Sequence, residues 1–250
     1  MEQELETEAA QTAEPAAEAV EAAEFAAEAA EKPKRGARVK AVLREHFSAP
    51  RIAYMAFFTA LAFVVTFLEF PIFPAASFLK FDFANLFFMI EGFIFGPVEA
   101  IVSIGIKELL CWTKSSTAGV GEIANFIMST AYIIIPSIAY RFKRGKWWVC
   151  LYLVCACVLQ MSVSLVVNRY INYWFFCDVM NFIPNMNSGE FFAITWQFVL
   201  GFNAIKSVGI SIVVFLVYKP LSRFIKMTTD KFDRRMAKAK EKRKSKNEQG

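Results

Sequence analysis

The sequence predicts an all-α integral membrane protein with six transmembrane helices and both termini on the cytoplasmic side. Three observations carry this. Apolar residues make up 56% of 250, with Phe alone at 27 positions. Between about 52 and 218 charge is thin, and apolar runs of about 20 residues recur, the length that crosses a hydrocarbon core of ~30 Å. Polar residues collect instead at the ends: residues 1–31 hold ten Glu and no basic residue, and residues 219–250 hold twelve Lys or Arg against four acids. Four regions follow: an acidic Ala/Glu-rich low-complexity tail (1–35), a basic juxtamembrane segment (36–51), a six-helix membrane domain (52–218) and a basic cytoplasmic tail (219–250).

The first span is drawn at about 52–69 and ends at "FPIFP", where Pro71 and Pro74 break helix. The second (about 82–97) closes at "FGP", and the third (about 98–113) follows with almost no loop. The fourth covers about 121–140, the fifth about 147–175 and the sixth about 194–218. Orientation comes from the basic residues. "KPKRGARVKAVLR" before the first span, "RFKRGK" (141–146) between the fourth and fifth, and the tail after the sixth all fall on one side with six spans, and deleting any one span would break the agreement. That side is cytoplasmic by the positive-inside rule. The outer loops are then 70–81, 113–120 and 176–193.

Several functions are excluded or disfavoured. The acidic N-terminus lacks the basic-then-apolar order of a secretory signal. Five cysteines without a CxxC pair, and a single histidine (His46), do not make a zinc site. There is no P-loop, HExxH or GxSxG motif, so the chain reads as neither an ATPase nor an enzyme, with no cofactor. The basic tail beside a membrane helix reads as a lipid or topology signal rather than a nucleic-acid arm.

Polar residues at membrane depth carry the functional reading. In "GFNAIKSVGI" (201–210) Lys206 sits near the middle of the sixth span. There a lysine costs ~2.5–3.5 kcal/mol on insertion scales and so faces the protein interior. Asn203 is three residues earlier, on the same face. One reading makes Lys206 half of a structural ion pair with Glu91, Glu108 or Glu122; the other makes it a ligand contact. "VVNRYINYWFF" ends the fifth span with Asn168 and Asn172 spaced i,i+4, at a depth comparable to Asn203. These amides suit either helix-to-helix hydrogen bonds or a ligand. In the first outer loop, "PAASFLKFDF" alternates apolar Phe78, Leu79 and Phe81 with Lys80 and Asp82, and Asp82 serves equally well as a helix cap. "KSSTAGVGEIANF" (114–126) gathers Thr117, Gly119, Gly121, Glu122 and Asn125 at the mouth of the fourth span. Small residues Ala53, Ala56 and Ala60 form a stripe on the first span, and "GFIFG" (92–96) is a second small-xxx-small pattern.

"FLKFD", "GFIFGP", "TAGVGEIANF" and "GFNAIKS", in this order, resemble the riboflavin-specific S components of energy-coupling factor (ECF) vitamin transporters, over about 50–220. The resemblance implies a multi-pass cell-membrane subunit without its own ATPase. Such a subunit binds riboflavin from outside beneath the first outer loop, then joins a transmembrane coupling protein and two cytoplasmic ATPases. By the same resemblance the flavin contacts fall on Asn168, Asn203 and Lys206. "FLKFD" is the lid, with Leu79 as backbone contact and Phe81 beside it, and Lys107 lies toward the ribityl chain. The family's acidic residue one turn before that lysine is replaced by Ile104, with Glu108 following Lys107. Its docking motif for the coupling protein falls on Ala56 and Ala60. An isoalloxazine ring, whose edge alternates acceptors with an N–H, suits two amides and an ammonium, with Phe and Trp against its faces.

Overall fold

The computed structural model describes residues 46–73, 79–115, 117–181 and 186–247. Most of the two N-terminal segments, together with Pro74 and Phe78 of the outer loop, lies outside them. His46 and Phe47 belong to an N-terminal unit, and Ser48 onward forms a second, compact one.

Among the described residues the second unit runs through six helices. Helix α1 (Ala49–Val65) starts with Pro50 in its first turn, where a missing N–H is harmless. It buries Arg51, Met55, Phe58, Thr59 and Ala62, a stripe of helical period. Ala53, Ala56 and Ala60 lie exposed on its other side. A 3-10 turn (Thr66–Leu68) ends it before Pro71 is reached. Strands β1 (Phe70–Pro71) and β2 (Lys80–Phe81) then pair antiparallel, Phe70 opposite Phe81.

Helices α2 (Ala84–Ile94) and α3 (Pro97–Trp112) are the second and third sequence segments. At 11 and 16 residues both fall short of the ~20 that cross a bilayer. By contrast α4 (Val120–Phe142), α5 (Lys146–Val167) and α6 (Ser188–Asn247) are long. Among the described residues four stretches are long and apolar enough to cross: Ala49–Leu68, Val120–Phe142, Lys146–Val179 and Ser188–Pro220. The span expected at 194–218 thus starts earlier. Its helix also runs through Pro220 to Asn247, where the basic segment is rich in Lys and Arg, both good helix formers.

Beyond Val167 the α5 backbone rewinds into π-helix over Asn168–Asn172 and Trp174–Val179. No sequence signal marked this.

The core is aromatic, with Phe88, Phe93, Phe95, Tyr132 and Tyr140 almost fully buried. The Tyr hydroxyls do not go unpaired: Tyr132 Oη lies 2.7 Å from Ser211 Oγ, and Tyr140 Oη 3.3 Å from Tyr218 Oη, tying α4 to α6. The "GFIFG" pattern has a concrete use at its first glycine. A Cβ on Gly92 would lie 2.1 Å from Ser137 Oγ, so α2 and α4 touch there only because the side chain is absent.

Candidate functional site

Polar residues recur at every fourth position on two of the helices that meet above this core. On α3 these are Glu99, Ser103 and Lys107; on α5, Gln160, Ser164, Asn168 and Asn172. All are buried except Asn172, which is half-buried. A four-residue repeat keeps side chains on one helical face, and Lys107 of one stripe and Gln160, Asn168 and Asn172 of the other border one cavity of about 230 Å³. Thr66 and Glu69 at the end of α1, Leu79 and Lys80 of the hairpin, and Asp82 and Asn85 also line it. From α3 and the following loop come Lys107, Glu108, Lys114, Ser115 and Thr117. Helix α4 supplies Glu122, Asn125 and Ser129, and α6 supplies Phe202, Asn203 and Lys206.

Five of the six residues expected to contact the ligand therefore share this cavity: Leu79, Lys107, Asn168, Asn203 and Lys206. Phe81 does not line it. Its ring packs against Phe70 and Phe83, at centroid distances of 5.6 and 5.0 Å, and faces Gly209. Ala56 and Ala60 are exposed and border no part of the cavity. Phe202 is the one aromatic among the described lining residues. The expected flanking Phe and Trp go elsewhere, Phe to the core and Trp147 and Trp174 to the exposed surface.

Lys206 does have an acidic partner, but none of the three expected from sequence. Its Nζ donates to Asp82 Oδ2 at 2.8 Å. Glu91 instead accepts from Ser103 Oγ (2.6 Å). Glu108 takes Lys107 Nζ (2.8 Å), and Glu122 accepts from Ser115 (2.8 Å) and Thr117 (3.1 Å). Asp82 wins because it stands at the head of α2 directly after β2, where its Oδ1 also accepts the Ala84 N–H at 2.8 Å. Asp82 is thus a cavity residue that also holds the first N–H of α2, from one position ahead of the N-cap, which is Phe83. The cavity's two buried lysines are each balanced by a carboxylate, as burial of charge requires, so they offer donors without an excess of charge.

The amides are oriented by their own helices. Asn203 Nδ2 donates to Val199 O (2.9 Å) and Asn168 Nδ2 to Ser164 O (2.8 Å). Asn172 Nδ2 donates to Asn168 Oδ1 at 3.0 Å. Three buried acceptors among the lining residues, Glu108 Oε2, Gln160 Oε1 and Asn172 Oδ1, have no hydrogen-bond partner. A buried acceptor left unmet costs ~1–3 kcal/mol, which marks these oxygens as points where a ligand donor would be gained. The sequence reading passed over Gln160, although its two-turn spacing from Asn168 was visible.

The mouth of α4 is held by Ser115 Oγ, which accepts from the backbone N–H of Thr117 and Gly119, both at 3.2 Å. Gly119 has φ +89°, and a Cβ there would meet the Trp112 ring at 2.5 Å, so only glycine serves.

The bundle thus joins stretches long and apolar enough to cross a membrane with a charge-balanced polar cavity beside a short hairpin, the make-up of a membrane transport component. The chain belongs to the family of ECF transporter substrate-specific components, which matches residues 50–218. It is 28% identical over 176 residues to the riboflavin transporter RibU of Staphylococcus aureus (strain TCH60), covering 70% of this chain and 92% of that one. To the riboflavin transporter FmnP of Bacillus subtilis (strain 168) it is 27% identical over 184 residues, 70% and 93% of the two chains. A solved S component of a bacterial ECF transporter superposes with a TM-score of 0.59 at 28% identity, over 71% of this chain and 98% of the other.

Proposed function

We propose that the chain is the riboflavin-binding S component of an ECF importer, taking the vitamin from outside and passing it inward with a coupling protein and two ATPases. The observation that carries this reading is the convergence of Asn168, Asn203 and Lys206 on one buried cavity, in a chain whose relatives are named riboflavin transporters. In this reading the isoalloxazine edge meets those three side chains. Lys107 serves the ribityl side, and Leu79 contributes backbone from the hairpin, with Phe81 supporting it from behind. The exposed Ala56 and Ala60 form the docking strip for the coupling protein.

The same proposal gives the chain six passes in the cell membrane with both termini cytoplasmic, α2 and α3 being short passes within the bundle. It keeps 52–218 as the binding domain, flanked by the acidic segment 1–35, the basic segment 36–51 and the basic segment 219–250. The basic turn Arg141–Lys146 and the basic stretch after Pro220 support that sidedness. The test is an equilibrium titration of purified protein with riboflavin beside thiamine and biotin. Saturable binding of riboflavin alone is expected; preference for another vitamin would reassign the substrate.

A further inference from the structure

The Asp82–Lys206 contact differs from the other buried ion pairs. Arg51–Glu99 joins α1 to α3 at 2.5 Å, and Lys107–Glu108 lies between neighbours on α3. Asp82–Lys206 instead crosses from the end of the hairpin to the middle of the apolar stretch Ser188–Pro220 of α6, over 124 residues of sequence. Both side chains are buried, so the contact is little screened by water. Three residues further along α6, Gly209 receives the Phe81 ring. Strand β2 is therefore fastened to α6 at two adjacent points, one ionic and one apolar. The ionic one ends on the same ammonium that lines the cavity.

An ammonium has three donors, and one of Lys206's is spent on Asp82. A ligand acceptor reaching Lys206 shares that ammonium with the carboxylate holding β2 in place. We propose that Asp82 is a positioning residue, tethering β2 to α6 and setting Lys206 in the cavity wall, so that ligand occupancy and the hold on β2 depend on one shared contact. The proposal rests on the cavity being the riboflavin site. A hold on the head of α2 alone would involve the Ala84 N–H and nothing on α6.

The test compares Asp82→Asn, Lys206→Met and the double variant with wild type. Two quantities are read: amide hydrogen exchange over residues 79–84 without flavin, and the rate of riboflavin release. Asn keeps an oxygen for the Ala84 N–H, so that bond survives while the charge is lost. Either single variant should raise exchange about tenfold or more, as expected for loss of one charge-assisted hydrogen bond. Asp82→Asn should also speed riboflavin release by a similar factor. In the Lys206→Met background, Asp82→Asn should change exchange by less than about twofold, because its partner is already gone. Wild-type exchange in both single variants, or an equal effect of Asp82→Asn with and without Lys206, would overturn the tether. If Asp82→Asn does not fold, Lys206→Met alone decides through the same exchange reading. If no form binds riboflavin, the functional reading fails, while the exchange arm still judges the tether.

Discussion

Lys206 shows how a charge is accommodated in an apolar helix: it is buried, donates to Asp82 and borders the cavity. Gln160 shows the opposite case, an oxygen buried in the cavity wall without a partner. Replacing Gln160 by Met keeps the volume and removes the unmet acceptor. The ligand-free protein should gain ~1 kcal/mol of stability while riboflavin binding weakens by a similar amount, read by thermal melts and titration on the same preparations. A rise in stability with unchanged affinity would remove Gln160 from the contact set. At this scale much was legible. Asn168, Asn203 and Lys206 stand out because amides and a cation are rare in apolar segments, and Lys107 and Leu79 came with the motif. The partner of Lys206 was not legible, since Asp82 is 124 residues away and only the folded hairpin brings it near. The position of Phe81 was not legible for a related reason: where β2 pairs with β1, its ring lies against Phe70 and Gly209 rather than in the cavity lining.

Elements bring these residues together, and two of them can be tested by size. Gly92→Ala pushes a methyl into Ser137. Overpacking of this kind costs ~1–3 kcal/mol, so the melting temperature should drop, and Gly92→Ala with Ser137→Ala should recover part of the loss. On α1 the exposed strip has the reverse expectation. Ala56→Trp or Ala60→Trp should leave riboflavin binding by the purified chain intact, because neither residue borders the cavity, yet abolish uptake by cells expressing the whole transporter. Normal uptake would move the docking role to another surface. The long helices were readable from hydropathy alone, because about 20 apolar residues leave little choice in a bilayer. The break at "FGP" and the length of α3 were readable too; α2 is shorter than its expected 82–97, running only from Ala84 to Ile94. The π-helical end of α5 was not readable, since it depends on packing rather than composition.

For the whole molecule, the proposed sidedness, with both termini cytoplasmic, predicts which segments reagents can reach. A cysteine placed at Lys143 should react with an impermeant reagent only after the membrane is opened. One placed at Asn187, in the loop before α6, should react from outside in intact cells. The reverse pattern would invert the topology and close the cavity to external vitamin. The central claim is narrower, that the cavity holding Lys206 is the flavin site. Titration of riboflavin into the purified chain, wild type and Lys206→Met side by side, tests it most directly. The account predicts one flavin per wild-type chain and binding weaker by ~1.5–3 kcal/mol in the variant, the range for a charged hydrogen bond, with the helical fold retained. Equal affinity in a folded Lys206→Met protein would contradict it.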